Sequence, residues 1–418
     1  MPTRTRFWVL VFAVTLAIVT YIHRVCVSQA APYIMRDFGL DKEQMGLVFA
    51  GFAVAYAFFE VPGGWLGDKF GPRRVLSGVV IWWSLFTAAT GWMWNLPSLV
   101  AARFFFGAGQ AAAFPTLTKC YTMWLPHHER VRAQGIMWMS ARWGGAFTPP
   151  LVLLTMQFMS WQWAFALFGA IGIVWALIFF WWFRDDPATH PRVNRAELEL
   201  IHAGGAHSAG HGDVPWGKML SSRSVLLLWA QYFAVSYPWY FFITWLPTYL
   251  QEYRQLSAAE SAKLAVFPLF FGGIGCILSG MLAPWAARRL GSVSLGRRVV
   301  ACAGFLGASI MLFLSIQMKD PLYAMLLMGL GSFCNDLTIP PSWGACMDVG
   351  GKYAGTLSGS MNMVGNFAGF VAPTTGGFIL KMTGGNWNVF LYSMAAFYLL
   401  GLLIWPFIDP VTPMERTS

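Results

Sequence analysis

Residues 63–74 read GGWLGDKFGPRR. Asp68, Lys69, Arg73 and Arg74 crowd into a few positions between two long apolar runs, 44–66 and 74–94. Glycines at 63, 64, 67 and 71 let the chain turn sharply between them. A short charged turn joining two runs of about 20 apolar residues is the pattern of a hairpin of membrane-crossing helices. The composition agrees: of 418 residues 57% are hydrophobic and 11% charged, against about 25% charged in a soluble domain. Many of the 22 Trp residues stand near the ends of apolar runs, as interfacial aromatic belts do.

Twelve segments reach spanning length: 7–30, 44–66, 74–94, 96–121, 132–157, 162–183, 223–250, 260–284, 297–317, 321–346, 354–382 and 387–408. The first reads as a membrane helix and not as a cleaved leader, because no small-residue cleavage site follows it. The fold expected is therefore an all-α membrane protein. A polar stretch at 185–222 divides it into an amino-terminal six-helix half, 1–184, and a carboxy-terminal half, 223–418. A repeat supports that division. After the eighth span the chain reads GMLAPWAARRLGSVSLGRRV, residues 280–299, a second basic turn where GGWLGDKFGPRRV stands in the first half.

Basic residues collect on one side: Arg4 and Arg6, Lys69, Arg73 and Arg74, Arg130 and Arg132, the central stretch, and Arg288, Arg289, Arg297 and Arg298. The opposite loops hold Arg36, Lys42, Arg254, Lys263 and Lys319, fewer and mixed with acids. Both termini are thus expected in the cytoplasm. The formal charge of +10 is a topological bias of this kind and points to the bilayer, not to nucleic acid. The six cysteines lie in apolar runs without paired spacing and read as small buried residues. His202, His207 and His211 fall in a Gly/Ala/Ser-rich linker, where a metal site is not expected. No nucleophile–base pair, metal-ligand cluster or phosphate-cradling loop suggests an enzyme or a cofactor.

Gly64, Asp68, Lys69, Gly71, Arg73 and Arg74 resemble the loop signature of the major facilitator superfamily, G-x-x-x-D-[RK]-x-G-x-[RK]-[RK]. RFFFGAGQA, residues 103–111, resembles its second signature, R-x-x-x-G-x-G-x-A. The finer resemblance is to the anion:cation symporter family, which includes bacterial galactonate, glucarate and hexuronate transporters. YIHRV in the first span, AFPTLTKCYTMWLPHHER after Arg103, QYFAVSYPWYFFITWLPTYL in the seventh and GTLSGSMNMVGNFAG in the eleventh carry it. The resemblance implies a monomeric, multi-pass transporter of the bacterial inner membrane, working by alternating access. It implies uptake of a small organic anion with a coupling cation, normally a proton.

The residues say part of this themselves. An Arg within the bilayer costs about 3 to 17 kcal/mol depending on how the estimate is made, so it should face a cavity or a partner. Arg24, Arg103 and Arg142 lie well inside spans, and only Glu60, Asp336 and Asp348 are placed to offset them. The balance favours an anion, which guanidinium holds bidentately. The resemblance sets Tyr21, Arg24, Tyr56, Arg103 and Asn362 at substrate positions; Arg142 adds a further positive charge, and Asn366 is one turn from Asn362. Where the family carries proton-coupling carboxylates this chain has His23 and Gln110, leaving His23, Asp336 and Glu60 as candidate coupling groups. Gly64, Asp68 and Arg73 are expected at a cytoplasmic gate, with Asp68 pairing to a basic group or a helix N-terminus. Two other readings remain: an exporter or antiporter of the same fold, and a transporter-like ligand sensor.

Overall fold

The computed structural model describes residues 2–203 and 214–414. Among these the helices form twelve long stretches. The first six are α1 (Arg6–Phe38), α2 (Lys42–Phe70), α3 (Pro72–Thr90), α4 (Leu96–Gln110, resumed as Ala113–Trp124), α5 (His127–Phe158) and α6 (Trp161–Trp182). The others are α7 (Arg223–Thr244, extended by Leu246–Thr248 and Tyr249–Tyr253), α8 (Val266–Leu290), α9 (Val293–Gln317), α10 (Pro321–Leu337 and Ile339–Gly350), α11 (Ala354–Met382) and α12 (Trp387–Ile404). Shorter helices occupy Arg195–Ala203, Trp216–Ser221 and Ala258–Leu264. His207 and His211 lie outside the described residues.

By length and composition alone, seven stretches suffice to cross a bilayer, one of them Pro321–Met382, which contains both α10 and α11. The others fall short for local reasons. α3 opens on Arg73 and Arg74, α4 is interrupted, and α5 carries charges at Glu129, Arg130, Arg132 and Arg142. The α4 interruption has a visible cause. Pro115 lacks the N–H that would bond the Ala111 carbonyl, and the helix breaks at 111–112.

Contacts divide the chain into two compact units. One comprises Met1–His127, Trp143–Val214 and Gly350–Ser360, the other His128–Arg142, Pro215–Val349 and Met361–Ser418. In the first, α2 packs along α4, and α3 packs on α6 and α4. In the second, α8 packs along α10, and α9 packs on α12 and α10. Adding six to each helix number converts one list into the other, so the two halves are pseudo-symmetric. Large apolar side chains cover the outside, with Phe58 at 74%, Trp94 at 73% and Phe158 at 80% exposure. Water would oppose such a surface; lipid tails do not.

The opening stretch becomes the α2–α3 turn. Gly71 has φ +82°, and a Cβ there would lie 2.6 Å from the Asp185 carboxylate. Only glycine fits that turn. Pro72 then starts α3, and Asp185 accepts the Arg73 N–H at 2.9 Å, capping the helix.

Candidate functional site

In the first unit, Arg24 projects from α1 among aromatic rings. Its Cζ lies 5.4, 5.0 and 4.6 Å from the ring centres of Tyr21, Phe52 and Tyr56. Its Nε donates to Gln110 Oε1 at 2.9 Å, and Gln110 Nε2 donates back to the Thr20 carbonyl at 3.1 Å. Arg103, from α4, approaches the same Phe52 ring at 5.4 Å and Phe106 at 4.1 Å. It is 2% exposed, and its Nε and Nη1 find no hydrogen-bond partner among the described residues. The sequence-chosen set Tyr21, Arg24, Tyr56 and Arg103 therefore shares one neighbourhood. Two guanidiniums flank a single phenyl ring, and aromatic faces hold cations without neutralising them.

His23 points elsewhere. Its Nε2 lies 2.7 Å from the Phe168 carbonyl, while Trp83 Nε1–H donates to Nδ1 at 3.1 Å. Indole nitrogen only donates, so Nδ1 accepts and Nε2 carries the proton. The ring is neutral with both nitrogens satisfied. Glu60 is fully buried on α2, and its carbonyl would lie 2.5 Å from a Cβ on Gly359.

Asp68 sits at the N-terminus of α11. Its carboxylate accepts from Gly355 N at 3.0 Å, Thr356 N at 2.6 Å and the Thr356 hydroxyl at 2.6 Å, with Lys119 Nζ at 3.6 Å. Lys119 also donates to the Lys352 carbonyl. Gly64 and Gly355 cross so closely that a Cβ on Gly64 would collide with the Gly355 carbonyl. Gly64 and Asp68 thus share one junction. Arg73 does not join them: its Nε donates to the Phe180 carbonyl at 2.8 Å.

In the second unit, Arg142 grips Asp336 with both prongs, Nε to Oδ2 at 2.7 Å and Nη2 to Oδ1 at 3.0 Å. Its Cζ rests 3.5 Å from the Trp239 ring centre, and Asn335 Nδ2 donates to Asp336 Oδ1 at 2.9 Å. Asn362 is buried, and Asn366 Oδ1 accepts from the Tyr240 hydroxyl at 2.7 Å. Toward the other end of α10, Asp348 is shared by Arg130 Nη1 and Arg297 Nη2, each at 2.5 Å.

Sequence reasoning assigned no role to Lys119, Trp83, Trp239 or Asn335. The two tryptophans did carry a signal, since each stands mid-span where an interfacial anchor has no use.

Comparison with known proteins agrees with the geometry. The model of the family described as Major Facilitator Superfamily matches residues 13–373. A Cupriavidus necator protein named "Probable sulfoacetate transporter SauU" is 35% identical over 99% of this chain and 96% of its own length. The "D-galactonate transporter" of Escherichia coli O6:H1 is 29% identical over 96% and 95%. The solved structure of the proton:xylose symporter XylE, bound to 6-bromo-6-deoxy-D-glucose, superposes with a TM-score of 0.76 over 98% of both chains. At 14% identity that likeness speaks for the fold alone. Twelve helices in two pseudo-symmetric halves, the paired loop and α4 signatures and the family match lead to one conclusion: the chain belongs to the Major Facilitator Superfamily, and is a multi-pass membrane transporter, not an enzyme.

Proposed function

We propose that the protein is a secondary active transporter that takes up a small organic anion by alternating access, together with a proton. The substrate is a sugar acid or a related short carboxylate or sulfonate. The observation that carries this reading is Arg103: a buried guanidinium with two nitrogens lacking a hydrogen-bond partner among the described residues. Such a group is costly in hydrocarbon, and an anionic group with two acceptor oxygens satisfies it. Arg24, a short distance away across Phe52, supplies the second cation. Tyr21 and Tyr56 offer hydroxyls beside them.

The relatives named for sulfoacetate and D-galactonate support an organic-anion substrate. The bias of basic residues toward one set of loops supports cytoplasmic termini in a bacterial inner membrane. Residues 1–184 and 223–418 then form the two halves, joined by 185–222, and the monomer is the working unit. Gly64 and Asp68 act at the cytoplasmic gate.

The test is uptake into proteoliposomes of D-galactonate, D-glucarate, glucuronate, sulfoacetate and succinate, with and without a pH gradient. Transport of at least one anion, lost in Arg24→Ala and in Arg103→Ala, is the expected result. Transport of none by wild type, or full transport by both variants, would overturn the reading.

A further inference from the structure

Gln110 is the last residue of the Leu96–Gln110 segment of α4, two turns beyond Arg103, so positions 103, 107 and 110 share one helix face. Its amide meets α1 at two points. Oε1 accepts the Arg24 Nε–H at 2.9 Å, and Nε2 donates to the Thr20 carbonyl at 3.1 Å, one turn earlier on that helix. The side chain is fully buried, so both bonds are made away from water. With a donor required at one end and an acceptor at the other, the amide has a single orientation, oxygen toward the guanidinium. Gln110 thus fixes the Arg24 side chain without neutralising it, because an amide oxygen carries no net charge.

Arg103 keeps its charge as well. The groups close enough to act on it electrostatically are the Cys26 thiol, the His23 ring and Arg24. A thiol is neutral near pH 7, and His23 is held neutral by its bonds to Trp83 and the Phe168 carbonyl. Among the described residues, the ion that reaches Arg103 is therefore a second cation. Both guanidiniums stand against the Phe52 ring, Arg24 at 5.0 Å and Arg103 at 5.4 Å from its centre. Glu60, one turn beyond Tyr56 on α2, acts on the Tyr56 hydroxyl but is not among the groups that act on Arg103.

We infer that Gln110 is the positioning residue of a site for two-headed anions. By holding Arg24 through a neutral amide it keeps two guanidinium charges beside one ring, and these select a short dianion, a dicarboxylate or a sulfonate–carboxylate, with one acidic group on each arginine. The inference rests on the proposed anion transport and narrows its substrate class.

Two like charges held in a low-dielectric interior repel each other, and one acidic head offsets one of them. A second head on the same small molecule offsets the other through charge-assisted hydrogen bonds, which a hydroxyl in its place does not match. The molecule is short because both guanidiniums flank a single phenyl ring. The Tyr21 and Tyr56 rings, 5.4 and 4.6 Å from the Arg24 Cζ, border the same guanidinium and leave room for no third charge of their own. A carboxylate at position 110 would accept the same Nε–H and cancel one of the two cations. The amide is therefore what sets the charge that the substrate meets.

The experiment is a binding titration of the full chain in detergent at about pH 8, where acidic heads are ionised, and so is a carboxyl placed beside a guanidinium. The probes are two matched pairs, D-glucarate with D-gluconate and sulfoacetate with 2-hydroxyethanesulfonate. Within each pair one carboxylate is exchanged for a hydroxymethyl group. Wild type should bind the dianion of at least one pair about ten- to a hundredfold more tightly than its partner, the worth of one further hydrogen-bonded charge. Gln110→Glu should weaken that dianion about tenfold more than the monoanion, moving the ratio toward one. Gln110→Met, which removes the clasp and adds no charge, should also lower the ratio, because Arg24 is no longer held for the second head. The ratio is what a merely structural glutamine would not move. Equal affinities within both pairs in wild type, or a ratio unchanged in Gln110→Glu or in Gln110→Met, would overturn the inference and leave anion transport standing. If Gln110→Glu does not fold, the wild-type ratios and Gln110→Met decide by the same criteria. Failure of wild type to bind any of the four probes would overturn the anion reading itself, and this inference with it.

Discussion

Trp83 donates its indole N–H to Nδ1 of His23 at 3.1 Å, and the opposite nitrogen of that ring faces the Phe168 carbonyl at 2.7 Å. A donor on one side and an acceptor on the other select a single neutral tautomer. Nitrogen NMR of histidine-labelled protein should show His23 as the Nε2–H tautomer. Trp83→Phe removes the donor and leaves a buried nitrogen unsatisfied. That change should cost about 1 to 3 kcal/mol, read as a lower thermal midpoint in detergent.

Arg103 presents the opposite case, a buried charge whose Nε and Nη1 find no acceptor among the described residues. Arg103→Met should raise the midpoint of the substrate-free protein, because it removes an expensive cation and keeps most of the volume. The same variant should bind no anion. Arg103→Lys keeps the charge without the planar fork, and its affinity should fall by about tenfold or more in a binding titration. A lower midpoint for Arg103→Met together with unaltered anion affinity would make the residue a structural one.

These two residues also show how far the sequence could be read. The twelve spans were legible because the bilayer demands about 20 apolar residues in a row, and the charged turn at 63–74 repeats at 280–299. The neighbourhood of Arg24 and Arg103 was legible as well, since an arginine within a span must face something polar. Partners were not. Arg142 and Asp336 are 194 positions apart, and nothing local in either segment records that they meet. His23 looked like a titrating group because the sequence does not show Trp83 on α3 pointing at it. Arg73 looked like part of the Asp68 junction because the two are close in sequence, whereas its capping partner, Asp185, follows α6.

The Asp68 junction joins the end of α2 to the start of α11 within the first unit. Asp68→Asn weakens an acceptor that serves two backbone N–H groups, the Thr356 hydroxyl and Lys119. Lys119 is 1% exposed, so the variant leaves a buried ammonium with less compensation. A loss of about 3 to 5 kcal/mol is expected, with partial recovery in Asp68→Asn combined with Lys119→Met. Thermal unfolding of the three proteins checks the order: wild type highest, the double variant next, the single variant lowest.

Asp348 raises the same issue with two cations instead of one. Arg130 and Arg297 each contact one of its oxygens at 2.5 Å, and Arg297 Nη1 also donates to the Pro410 carbonyl at 2.7 Å. Arg298 Nε donates to the Ile408 carbonyl at 2.9 Å, and Met414 N donates to the Val349 carbonyl at 2.9 Å. The segment 408–414 is thereby tied to the ends of α9 and α10. Asp348→Asn removes the charge that two buried guanidiniums share and should destabilise by about 3 to 5 kcal/mol. Arg297→Met should cost less, because Asp348 keeps Arg130, yet it should free the carboxy-terminal segment. Limited proteolysis separates the two: Arg297→Met should be cut after Phe407 faster than wild type while the helical core stays intact. Equal cleavage rates in the two proteins would mean that Arg298 and Val349 hold the segment without Arg297.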